Sequence, residues 1–83
     1  MNQSAQIGAM SSEEVRQRFA ENLRRLRERE GVSQENLARI CKLHRTEVSL
    51  LERCLRSPRL DTLIILAEGL GLASLAELVE GIE

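Results

Sequence analysis

Few side chains in this 83-residue sequence could do chemistry, and they fall close together. Cys41, His44 and Cys54 carry metal-ligating atoms, and the Cys-x-x-His spacing of the first two can bring a thiolate and an imidazole together. A fourth ligand is missing, and Cys41 shares an apolar helical side with Leu37 and Ala38, so no metal site and no cofactor is expected. With one histidine, no Ser, His and Asp spacing and no Gly-rich phosphate loop, the chain is not expected to be an enzyme. What remains is a basic and hydroxyl-bearing group, Arg45, Thr46, Glu47 and Ser49, set at the start of an apolar series formed by Val48, Leu51 and Leu55.

The elements that must position this group can be read from periodicity and caps. Residues 1–11 are polar, small and aperiodic, and are expected to form a disordered tail ahead of a single domain over 12–83. Ser11 and Glu14 have capping-box spacing, and Val15, Phe19, Leu23 and Leu26 then recur at helical intervals until Gly31 offers a stop. Ser33 can cap a second, short helix, and a third is expected around Arg45 to Arg53. Ser57 and Pro58 mark a loop. A fourth helix follows, apolar nearly all round from Leu60 to Leu70. Ser74 and Glu77 form a second capping box, predicting a fifth helix with Leu75, Leu78, Val79 and Ile82 inward. The fold class is therefore all-α, a compact five-helix bundle in which helices 2 and 3 form a helix-turn-helix.

Composition agrees with helices. The chain is 42% hydrophobic but 1% aromatic, so aliphatic side chains must fill the core. Its formal charge of −1 conceals a division: all 12 Lys and Arg lie between Arg16 and Arg59 against six acids, a balance of +6, whereas Leu60 to Glu83 holds five acids and no base. Phosphate neutralisation depends on local rather than total charge, so such a chain can present one side to nucleic acid. Two cysteines, no charged-then-apolar leader and no apolar run of membrane-spanning length make a cytoplasmic protein without a membrane partner the expectation.

The residues strengthen the helix-turn-helix reading. Ser33-Gln34-Glu35-Asn36-Leu37-Ala38, then Leu43-His44-Arg45-Thr46-Glu47-Val48-Ser49-Leu50-Leu51-Glu52-Arg53, then Pro58-Arg59-Leu60-Asp61-Thr62-Leu63 with Leu66-Ala67-Glu68-Gly69-Leu70-Gly71, resembles the phage-repressor and Cro-like (XRE-type) helix-turn-helix family over roughly residues 16 to 80. Arg-Thr at the start of helix 3 and Glu-Arg at its end look most like small controller-type regulators. The resemblance implies that helix 3 enters the major groove of double-stranded DNA. Arg45 would fork onto guanine O6 and N7, Thr46 would touch a thymine methyl or donate a hydrogen bond, and Glu47 would accept from cytosine N4 or hold Arg45. Ser49 and Leu50 lie one turn on, Leu50 as an apolar contact.

Gln34 matches the family residue that begins helix 2 at a phosphate, and Arg53, Arg56 and Arg59 would flank the groove as phosphate contacts. Arg27 and Glu52 match a pair that bridges helices 1 and 3 in relatives and presents the arginine to the backbone. Three positions depart from the pattern: Lys42 and Cys54 stand where the family favours glycine, and His44 where a hydroxyl N-cap is expected.

One helix in one groove reads few base pairs, which predicts a homodimer on a palindromic operator. Ile64 and Ile65, with Leu78 and Ile82 of helix 5, are the candidate dimer interface, and RNA polymerase is the partner that such a regulator would block or recruit. The other class that fits is an antitoxin-like protein-interaction module whose acidic or apolar C-terminal half grips a partner.

Overall fold

The structure is a computed structural model and describes residues 9–83, so most of the expected tail lies outside the described residues. Four α-helices and one 3₁₀ turn follow: α1 Ser12–Arg29, α2 Gln34–Ile40, α3 Glu47–Glu52, α4 Leu60–Gly69, and the turn Leu75–Glu77. The α1 capping box forms as its spacing requires, with Glu14 N–H donating to Ser11 Oγ at 3.1 Å and Ser11 N–H donating to Glu14 Oε1 at 2.8 Å. Ser33 Oγ accepts from Asn36 N–H at 3.0 Å and starts α2.

Four helix ends share one geometry. After α1, α2, α3 and α4 a residue in the left-handed region turns the chain back, at Gly31, Lys42, Cys54 and Gly71. In each case the next N–H reaches a carbonyl five residues earlier; Leu43 to Ala38 at 2.8 Å and Leu55 to Leu50 at 3.0 Å are the two built without glycine. Lys42 at φ 58° and Cys54 at φ 62° thus keep the backbone that the glycine pattern demands and take the steric strain instead.

The core is Phe19, Leu23 and Leu26 from α1, Leu37, Ala38 and Cys41 from the α2 region, Val48 and Leu51 from α3, Leu66, Ala67 and Leu70 from α4, and Leu78 beyond the 3₁₀ turn. Aliphatic side chains at helical spacing therefore place α1 across α3 and seat α2 against α3 and α4.

Three expectations need correction. The fifth helix is a 3₁₀ turn. Ser74 Oγ does accept from Ala76 N–H at 3.1 Å, but Glu77 turns to Arg29 at 3.3 Å instead of closing a capping box. Beyond it, the Asn22 amide donates to the Leu78 and Glu80 carbonyls at 3.0 and 2.9 Å, taking an acceptor, Leu78 O, that a continuing helix would use internally. Second, Arg45 and Thr46 precede α3 in a turn, closed by Glu47 N–H to the His44 carbonyl at 2.9 Å. Third, Leu55 leaves the apolar side of α3 and is 61% exposed, because Cys54 reverses the chain before it. Among the described residues no helix is long and apolar enough to cross a membrane.

Candidate nucleic-acid interface

The α2–turn–α3 unit presents its polar residues around the start of α3. Arg45 and Thr46 are fully at the surface, while Ser49 and Leu50 are half-buried one turn on. The N-cap of α3 is Thr46, which makes no side-chain cap hydrogen bond, and His44 braces the turn just before it. Its Nδ1 accepts Thr46 N–H at 3.2 Å and lies 2.9 Å from the Thr46 hydroxyl. The roles follow the tautomer of the ring: an unprotonated Nδ1 offers one lone pair, which the Thr46 N–H and hydroxyl share, whereas a protonated Nδ1 donates to the hydroxyl oxygen. An Asx-like turn built by histidine therefore fixes both the helix start and the rotamer of Thr46.

Glu47 departs from expectation. Its carboxylate takes Arg56 rather than Arg45, and with a side chain only 15% exposed it has little surface for a cytosine amine. The pairing draws the loop after α3 back toward the start of that helix and leaves Arg45 without an ion-pair partner among the described residues.

A second network holds the helices behind this surface. Glu52, at the end of α3, has a fully buried carboxylate. Burial alone would push its carboxyl up, yet Arg27 Nε at 2.6 Å and Nη2 at 3.0 Å, Gln34 Nε2 at 2.9 Å and Arg24 Nε at 3.4 Å bring it below the usual carboxylate range. The same hydrogen bonds raise Arg27, whose Nη1 also donates to the Val32 carbonyl at 2.8 Å. Arg27 is 12% exposed and Gln34 gives its amide to Glu52, so both face the clasp between α1, α2 and α3 rather than open solvent.

Charge pairing sorts the basic residues by place. Arg18, Arg24, Arg25, Arg27, Arg29, Arg56 and Arg59 each have an acidic partner within ion-pair distance. Arg16, Arg39, Lys42, Arg45 and Arg53 have none among the described residues, and four of these five lie in or beside α2–turn–α3. The acidic C-terminal stretch is spent differently: Glu77 and Glu80 pair with Arg29 and Arg25 of α1. Uncompensated positive charge is therefore concentrated on the helix-turn-helix.

The cysteines serve packing. Cys41 Sγ lies 3.6 Å from the Ile65 carbonyl and its thiol is pushed up by burial, whereas Cys54 Sγ lies 3.8 Å from the Arg16 carbonyl on α1. No three His, Cys, Asp or Glu side chains among the described residues converge as metal ligands.

The expected dimer residues separate. Ile64 is 45% exposed, but Ile65 and Ile82 pack against the core, and Leu78 is 0% exposed inside it and has no surface left for a partner. Sequence reasoning missed Leu60, which is 71% exposed and one helical turn before Ile64 on the same face of α4; the i, i+4 spacing was the available signal. It also missed Asn36 and Arg39, which line one groove with Arg45.

This arrangement has known counterparts. A family profile described as a helix-turn-helix domain matches residues 18–80, most of the chain. The chain belongs to that family. Over 57 residues it is 46% identical to the control protein C.SmaI of Serratia marcescens, a match spanning 69% of this chain and 68% of that protein. Two solved structures share the fold. The hypothetical transcription factor NHTF from Neisseria has a TM-score of 0.76 at 36% identity, over 84% of this chain and 79% of that one. An HTH_3 family transcriptional regulator from Vibrio cholerae has a TM-score of 0.77 at 25% identity, over 82% of this chain and 38% of that one. The protein is thus a DNA-binding helix-turn-helix regulator of the Cro/C1-like controller type, a family of transcription regulators rather than enzymes.

Proposed function

We propose that this regulator acts in the cytoplasm as a homodimer on a palindromic operator, each protomer reading one half-site with the start of α3. The observation that carries the reading is the exposed Arg45, without an ion-pair partner among the described residues, beside a Thr46 braced by His44. Arg45 donates to guanine O6 and N7, Thr46 meets an adjacent base, and Ser49 and Leu50 contact the neighbouring step. Arg53, with Arg56 and Arg59 in the following loop, meets phosphates. Arg27 and Gln34 serve the same end indirectly, by holding Glu52 and so fixing α3 against α1 and α2. Glu47 steadies the loop through Arg56.

The dimer face is α4. Leu60 and Ile64 form an exposed apolar pair one helical turn apart that an isologous partner can cover. Occupancy of the operator then blocks or recruits RNA polymerase according to where the operator lies. Selection from a pool of randomised duplexes, with sequencing and a salt titration, tests the whole reading. An enriched inverted repeat with half-sites about one turn of DNA apart supports it; uniform, salt-sensitive retention without an enriched sequence refutes it.

A further inference from the structure

The basic residues without an acidic partner include one for which the groove-reading helix gives no account. Arg39 sits in the last turn of α2, exposed, with its guanidinium on no carboxylate among the described residues. A cation in the last turn interacts favourably with the helix dipole, which would explain its presence there but not its company. Arg39, Asn36, Glu35 and Leu43 line one groove with Arg45, the side chain placed to enter the major groove. Asn36 Oδ1 accepts from Arg39 Nη2 at 3.4 Å and holds the guanidinium along the exposed face of α2, and the rest of its donors have no partner among the described residues.

Because Arg39 and Arg45 line the same groove, a duplex read by Arg45 in the way proposed above would carry its sugar-phosphate wall within reach of Arg39. We propose that Arg39, oriented by Asn36, is a phosphate-gripping residue that extends the DNA footprint from α3 onto the outer face of α2. This rests on the proposed role of Arg45. Glu35, on the same groove, opposes the contact, so the two charges set the strength of binding in opposite directions without selecting sequence.

The test uses the full chain and fluorescence anisotropy on two labelled duplexes, the selected operator and a scrambled duplex of equal length, across a salt series. Arg39→Gln is expected to weaken binding to both duplexes several-fold and by a similar factor, and to make the log–log salt slope shallower by about 0.9 for each protomer's lost phosphate contact. Arg39→Lys, which keeps a point charge, is expected to retain most of the affinity, and Glu35→Gln to tighten both duplexes. If Arg39→Gln alters only thermal stability and leaves affinity and slope at wild-type values, Arg39 serves α2 alone and the inference is wrong. Arg45→Ala separates the two levels. Loss of operator preference in Arg45→Ala beside an inert Arg39→Gln overturns this inference but keeps the proposed function, whereas no effect from either overturns both.

Discussion

At the scale of single residues, two positions keep a strained backbone. Lys42 and Cys54 occupy the left-handed region at helix ends where Gly31 and Gly71 do the same work without a side chain. Left-handed geometry costs an L-residue about 1–2 kcal/mol, and glycine returns part of that gain as unfolded-state entropy. Lys42→Gly is therefore expected to stabilise the fold by about 0.5–1 kcal/mol, read as a higher denaturant midpoint with unchanged slope. Cys54→Gly should gain less, because it also gives up the Sγ contact with α1. A lower midpoint for Lys42→Gly would show that its side chain contributes more than the strain removes. The same residues show what sequence could reveal. Their misfit with a glycine pattern was legible, but whether the turn or the residue would yield was not, since that depends on two backbone hydrogen bonds per turn that only the folded chain forms. His44 is the converse case: the N-cap falls later, at Thr46, and the histidine ring nitrogen braces the turn before it by meeting Thr46 N–H.

At the scale of elements, the decisive contact is the clasp at Glu52, where α1, α2 and the end of α3 meet through Arg27, Arg24 and Gln34. Removing one partner of a buried pair leaves the other charge uncompensated, so Glu52→Gln is expected to destabilise the chain by roughly 3 kcal/mol at neutral pH, the lower end of the range because Arg24 is half-exposed. The clasp also has a pH signature. The Glu52 carboxyl lies lower in the folded chain than in the unfolded one, so between those two values the unfolded chain holds more protons and stability rises with pH. Its contribution is fully present above the ordinary carboxylate range and is lost as pH falls through the folded value. Denaturation midpoints measured through that acid window should fall in the wild type more steeply than in Glu52→Gln; parallel curves would mean that Glu52 titrates normally. The pairing of Arg27 with Glu52 was legible from the family resemblance, and four of the five expected helices formed. The fifth did not because Asn22, a polar residue on α1 with no distinguishing pattern around it, captures the Leu78 carbonyl that helix would use internally.

At the scale of the whole molecule, the division of charge along the sequence becomes a division of surface. The acidic C-terminal stretch folds back on the bases of α1, so that Arg18 reaches the Gly81 carbonyl and Arg25 and Arg29 reach Glu80 and Glu77. The net charge of −1 thus coexists with a helix-turn-helix on which Arg39, Lys42, Arg45 and Arg53 have no ion-pair partner among the described residues. This folding-back also decides which apolar residues are left for a partner. Leu78 and Ile82 close the core of the chain itself, and of the apolar residues left exposed, Ile40, Leu55, Leu60 and Ile64, the α4 pair is the one that the proposed twofold partner would cover. Charges placed there should separate the two roles. Leu60→Glu with Ile64→Glu is expected to leave a folded chain, with unaltered helical circular dichroism, that sediments as a monomer and binds a two-half-site operator no better than a single half-site. Leu78→Ala acts on the other role, opening a cavity that costs about 2–5 kcal/mol and lowering the thermal midpoint at every protein concentration. A double-glutamate variant that still sediments as a dimer would place the twofold contact elsewhere than on α4, and only loss of the fold itself would mean that Leu60 and Ile64 belong to the core.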